Sequence, residues 1–259
     1  MLRKIFNVIG IVGYLLLTSV ICVNAQPKGE ITISAAISLK NAFDDIAKLY
    51  EHRYPETKVM FNFGASGDLA MQIEGGAPVD VFASAAQKDM DRIAAKNLVA
   101  NDTRQNFVKN TVVLVKPVSS RLDIKGFDDL AKPDVHMIAV GNPKTVPAGR
   151  YAQEVLQSLK LWDKVKNKLI LAENVRQVLD YVAKNEVDAG MVYATDASVR
   201  ASDVTVITKA PENSHKPVVY PIAMVADSSH VAQAKAFIAM ILSDDGMLIL
   251  KKYGFESAR

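Results

Sequence analysis

Residues 31–50 read ITISAAISLKNAFDDIAKLY. Ile31–Ala36 is a short apolar run suited to a strand, and Leu39–Tyr54 carries Leu39, Phe43, Ile46, Ala47 and Tyr50 on one helical stripe. Ser38 falls at the change of period. The same grammar repeats downstream. Val59–Phe63 reads as a strand, Leu69–Glu74 as a short helix, Val79–Ala83 as a strand, and Ala86–Lys96 as a helix with Met90, Ile93 and Ala94 inward. Strand and helix in strict alternation predict a parallel sheet wrapped by helices.

A second series follows. Strands are predicted at Thr111–Lys116, Met137–Val140, Leu169–Leu171, Ala189–Tyr193, Val204–Ile207 and Val218–Val225. Helices are predicted at Tyr151–Leu159, Val175–Lys184, His230–Leu242 and Met247–Tyr253. No low-complexity linker separates the two series, so they read as tight lobes joined by strand-like crossovers near Asn106–Thr111 and His215–Val219.

The chain has 259 residues, 49% hydrophobic and 23% charged, which fits one large domain or two lobes and excludes disorder. A single cysteine excludes a disulfide scaffold. At the start, Arg3 and Lys4 precede an uncharged stretch, Ile5 to Val23, that ends in Val23-Asn24-Ala25. This is the pattern of a secretory signal cut after Ala25, with an uncut membrane anchor as the alternative. A lipid on Cys22 is disfavoured by the bulky Ile21 before it. Without Arg3 and Lys4 the chain holds 29 basic against 28 acidic residues, so no basic surplus argues for nucleic acid.

Catalytic motifs are missing. There is no phosphate-cradling G-x-x-x-x-G-K-[ST] and no G-x-G-x-x-G. Gly64-Ala65-Ser66-Gly67-Asp68 departs from a nucleophile elbow at its last residue. His52, His136, His215 and His230 lie far apart. What recurs is a small or hydroxyl-bearing turn between a strand and a helix: Ser38, Ser66-Gly67, Ala148-Gly149 and Asn174-Val175. Taken singly, each serine reads as an ordinary N-cap. In a parallel α/β sheet all such turns open on one edge, where free N–H groups and positive helix ends meet a ligand. Four of them point to an anion-binding cleft.

The chain resembles the periplasmic molybdate-binding proteins of ABC transporters over about Glu30 to Phe255. The resemblance rests on Ala35-Ala36-Ile37-Ser38-Leu39, Phe63-Gly64-Ala65-Ser66-Gly67 with Gln72-Ile73-Glu74, and Gly76-Ala77-Pro78-Val79-Asp80-Val81-Phe82. It continues through Val146-Pro147-Ala148-Gly149-Arg150-Tyr151-Ala152, Glu173-Asn174-Val175-Arg176, Val192-Tyr193 with Asp196-Ala197, Pro217 to Val225, and Lys252-Tyr253-Gly254-Phe255. It implies a two-lobed α/β periplasmic-binding-protein fold of type II, each lobe a mostly parallel sheet flanked by helices. A signal at 1–25 would precede a discontinuous first lobe, 26–108 plus 217–259, and a second lobe, 109–216.

The resemblance also implies an exported, monomeric binding protein, not an enzyme, that delivers molybdate or tungstate to an ABC permease. It carries no cofactor, since molybdenum enters only as the oxyanion. The implied contacts are the hydroxyls of Ser38, Ser66 and Tyr193 and the backbone N–H groups of Ala148 and Val175. From its strand alone, Tyr193 reads as core. Asp68 departs from the family, which is often neutral there; pointing inward, it would favour a protonated ligand. Two alternatives stand beside this reading: a binder of sulfate or phosphate on the same fold, and an exported serine hydrolase using Ser66.

Overall fold

The computed structural model describes residues 27–258; the expectations for the signal, its cleavage after Ala25 and Cys22 lie outside them. From the start, β1 (Gly29–Ala36) passes through a 3-10 turn at Ile37–Leu39 into α1 (Lys40–Arg53). Then come β2 (Thr57–Gly64), α2 (Ser66–Glu74), β3 (Val81–Ala83), α3 (Gln87–Ala94) and β4 (Gln105–Lys109). The chain crosses over at Asn110 and Thr111 into β5 (Val112–Pro117), β6 (Ile138–Gly141), α4 (Pro147–Ser158) and the short α5 (Trp162–Val165). It continues through β7 (Leu169–Ala172), α6 (Val175–Ala183), β8 (Ala189–Tyr193), α7 (Ala194–Val199) and β9 (Val204–Lys209). It returns as β10 (Val219–Met224), α8 (Val231–Leu242), α9 (Asp244–Lys252) and β11 (Glu256–Ser257).

Two sheets result. The first has the order β11-β4-β10-β3-β1-β2 and the second β7-β6-β8-β5-β9. Parallel pairing joins β1 to β2 and β3, and β6 to β7 and β8. The strands around the crossovers, β4, β5 and β10, pair antiparallel. The expectation of mostly parallel sheets therefore holds for the strands that feed the helices and needs correction at the crossovers. A strand leaving one lobe for the other reverses direction and cannot use a helical βαβ return.

Register does the positioning. Along β1 and β2 the last pair is Ala36 with Gly64, so Ser38 and Ser66 leave the sheet at equal offsets on neighbouring strands. Along β6 and β7 the last pair is Gly141 with Ala172, which sends the heads of α4 and α6 out together. Behind these edges Phe43 packs on Phe61, Phe107 and Phe237 at 6.1–6.2 Å between ring centroids. The contact with Phe237 is edge-to-face and the other two are tilted, arrangements that aromatic pairs favour over a face-to-face sandwich.

Three helices begin earlier than their apolar stripe. Residue Ser66 is already the first residue of α2, with Ala65 as its N-cap. In α4, Pro147 occupies the first turn, where its missing N–H costs nothing. Helix α9 starts at Asp244 because the Ser243 side chain accepts the Gly246 N–H. Strands β4 and β11 and helices α5 and α7 are absent from the sequence reading: β11, α5 and α7 are too short to show a period, and β4 has only Phe107 and Val108 as an apolar pair.

Glycine is required where α4 passes over the end of β6. A Cβ on Gly149 would stand 1.9 Å from the Gly141 carbonyl oxygen. Gly149→Ala is therefore expected to destabilise the protein by ~1–3 kcal/mol or more. Gly126→Ala, where nothing lies within 4 Å, is expected to stay within ~0.5 kcal/mol. Paired denaturant melts check the contrast.

Candidate functional site

Ser38, Ser66, Ala148, Val175 and Tyr193 come together around one small, nearly filled cavity of about 10 Å³, whose other walls are Ala36, Ile37, Gly64, Ala65, Ala85, Val146 and Pro147. No acidic, basic or histidine side chain lines it. Its polar groups are hydroxyls and the N–H groups of helix first turns, which have no intrahelical acceptor. Ala148 is the second residue of α4 and Val175 the first of α6. The positive ends of α2, α4 and α6 thus converge on it.

The serines do not cap. The N-caps preceding α1 and α2 are Leu39 and Ala65, neither with a side-chain cap bond. Instead Ser66 Oγ, fully buried, accepts the Ala85 N–H at 2.9 Å. Ser38 Oγ lies 3.0 Å from the Tyr220 hydroxyl. Ser66 thereby keeps its proton to offer the cavity, and between Ser38 and Tyr220 either hydroxyl can be the donor. A hydrolase would need a base beside Ser66, and no such group lines the cavity.

Tyr193 is 1% exposed, and its hydroxyl has no hydrogen-bond partner among the described residues. Burial holds the phenol well above its ordinary pKa, so it keeps its proton. Asp68 is half-buried in the first turn of α2 and is not among the lining residues.

Charges surround the cavity without entering it. Arg176 Nε donates to Asp196 Oδ1 at 2.5 Å, tying the head of α6 to α7, directly after Tyr193. Burial raises the Asp196 carboxyl, and Arg176 opposes that shift. Between the lobes, Arg150 on α4 pairs with Asp89 on α3. Asp89 is 4% exposed; burial raises its carboxyl and Arg150 again opposes. A second link is backbone only: Gly67 N–H donates to Thr145 O at 2.9 Å. A Cβ on Gly67 would meet that carbonyl oxygen at 2.5 Å. The Asp89–Arg150 pair, joining residues far apart in sequence, had no local signal.

Residues 31–256 match the family model for bacterial extracellular solute-binding proteins. The chain belongs to this family. Among relatives of this solute-binding protein, the molybdate-binding protein ModA of Escherichia coli is 41% identical over 88% of this chain and 89% of its own. The molybdate-binding protein ModA of Haemophilus influenzae is 38% identical over 88% and 90%. The periplasmic molybdate-binding protein of Azotobacter vinelandii superposes with a TM-score of 0.77 at 21% identity, covering 87% of this chain and 98% of that one. The fold is that of the type II periplasmic binding proteins.

The pair between Asp89 and Arg150 spans the two lobes, so breaking it acts on opening. Arg150→Met leaves a buried carboxylate without its counter-charge, a loss of ~3–5 kcal/mol when burial persists. Opening relieves part of it, and release of bound solute is expected to accelerate at least ~tenfold. The double variant Arg150→Met/Asp89→Asn is expected to recover much of that change in a stopped-flow chase.

Proposed function

We propose that this solute-binding protein captures molybdate, and tungstate alongside it, between its two lobes and hands it to an ABC permease. The observation that carries the reading is the Tyr193 hydroxyl, buried without a partner at a cavity walled by neutral donors. A buried polar group costs ~1–3 kcal/mol when unsatisfied, so its natural complement is an acceptor that arrives with the ligand. In this reading Ser38, Ser66 and Tyr193 give hydroxyl protons, and Ala148 and Val175 give backbone N–H groups.

Molybdate and tungstate are bare dianions at neutral pH and only accept hydrogen bonds. Phosphate keeps a proton and calls for an acceptor in the wall. Sulfate is also a bare dianion, and cavity size is what separates it. Each hydrogen bond to a charged ligand contributes ~1.5–3 kcal/mol, so a handful of neutral donors holds a dianion without a cation. Closure of the lobes strengthens them by excluding water. The high identity to two molybdate-binding proteins supports this ligand over sulfate or phosphate.

The reading extends to organisation. The signal would occupy 1–25, the first lobe 26–108 plus 217–259 and the second 109–216, in a monomer working in the periplasm. The membership of the first sheet, β1–β4 with β10 and β11, supports those boundaries. Binding and delivery, without catalysis, is the whole of the proposed activity.

Molybdate and tungstate are expected to raise the melting temperature of the mature protein, while sulfate and phosphate leave it unchanged. At ~100 times its dissociation constant a ligand adds ~2.7 kcal/mol to stability. A shift with phosphate and none with molybdate refutes the reading.

Tyr193→Phe keeps the ring and removes one oxygen. Stability is expected to hold or rise slightly, because an unsatisfied buried hydroxyl is lost, while molybdate affinity falls by ~1.5–3 kcal/mol. Titration calorimetry beside a melt checks both. Unchanged affinity would make Tyr193 a core residue only.

A further inference from the structure

The hydroxyl of Ser38 is the end of a hydrogen-bond chain that begins where the chain crosses between lobes. The Asn110 carboxamide oxygen accepts the Thr111 N–H at 2.9 Å, which settles the orientation of the amide. Its nitrogen donates to Thr195 Oγ1 at 2.8 Å and to the Tyr220 hydroxyl at 3.2 Å. The Tyr220 oxygen stands 3.0 Å from Ser38 Oγ. Tyr220 is fully buried, and burial raises its phenol far above the ordinary value, so the proton stays on.

A phenol oxygen carries one proton and accepts on the opposite side, near the ring plane. The Asn110 N–H takes an accepting position of Tyr220, which leaves the phenol proton free to point to Ser38 in a contact where either hydroxyl can donate. With the Tyr220 proton on it, Ser38 Oγ accepts from the protein, and its own proton is left for the cavity. Ser66 is set the same way by different means, since its Oγ accepts the Ala85 N–H. In this arrangement one accepting position of each serine is taken up inside the protein, and the proton and a single lone pair remain.

We propose that Asn110 and Tyr220 are positioning residues that hold Ser38 as a hydrogen-bond donor and so make the cavity select fully deprotonated tetrahedral oxyanions over protonated ones. The proposal rests on the oxyanion reading above. Neither residue lines the cavity; they act through Ser38. A ligand that carries a proton must place it on an acceptor. To receive it, Ser38 would have to offer its remaining lone pair and turn its own proton away from the ligand, giving up the bond it donates to a bare dianion. A bare dianion requires no such turn. The amide is also shared by both lobes, since Tyr220 lies on β10 of the first sheet and Thr195 on α7 beside β8 of the second. The polarity of Ser38 is therefore anchored at the crossover between the two sheets.

The test is a double-mutant cycle of Tyr220→Phe with Ser38→Ala, read by calorimetry with molybdate and by competition with phosphate. With Ser38 present, Tyr220→Phe is expected to weaken molybdate about five- to thirtyfold and to narrow the molybdate-to-phosphate ratio by a similar factor. In the Ser38→Ala background it is expected to change affinity less than about twofold. Denaturant melts establish that each variant is folded. Asn110→Ala removes the donor at the other end and forms a second arm, with a smaller loss of about two- to fivefold that again depends on Ser38. Equal losses in both backgrounds, or no loss with Ser38 present, overturn the relay. Wild-type protein that binds neither molybdate nor tungstate instead refutes the oxyanion reading, so the two failures are distinguishable.

Discussion

A buried hydroxyl without an acceptor is the constraint around which this molecule is arranged. Tyr193 closes β8 with its oxygen in a cavity that also receives Ser38, Ser66 and the heads of α4 and α6. The hydroxyls and helix-head N–H groups of the lining residues can all donate to it. Such a convergence is unfavourable in an isolated protein, because desolvated donors repel one another and lack partners. It becomes favourable when an anion enters. The lobes need only bring the two halves of the donor set together.

The surrounding architecture serves that convergence. Parallel register delivers Ser38 and Ser66 from one sheet and the heads of α4 and α6 from the other. Close backbone approach at Gly149 and Gly67 lets α4 lie against β6 and lets α2 reach Thr145. Full charges are present but paired and set back: Arg176 with Asp196 beneath the second lobe's rim, Arg150 with Asp89 between the lobes. A free cation in the cavity would hold any small anion. Neutral dipoles oriented by the fold discriminate by where protons sit, and that requires their own protons to be held in place.

The alternation of strand and helix and the rim turns that carry Ser38, Ser66, Ala148 and Val175 were legible in the sequence, because apolar periodicity and turn residues are local properties, whereas Tyr193 entered only with the family resemblance. The elements that escaped, β4, β11, α5 and α7, show no apolar period of their own, and their form comes from neighbours: β4 is a strand because β10 and β11 lie on either side. The serines carry the clearest lesson. Sequence alone makes each an N-cap as readily as a ligand donor, and the choice turns on one residue of helix boundary and on distant partners, Ala85 and Tyr220.

By itself, then, the sequence determined two α/β units, a rim of hydroxyl and helix-head turns, and a likeness specific enough to name the positions that would meet an oxyanion. Tertiary structure decided which atoms of those residues are free. Ser38 and Tyr220 are separated by 182 positions, Asn110 and Tyr220 by 110, and Asp89 and Arg150 by 61. Hydrogen-bond direction and charge pairing depend on contacts a few ångströms long between such residues. No local pattern encodes them, because they exist only once both sheets have formed and the lobes have met.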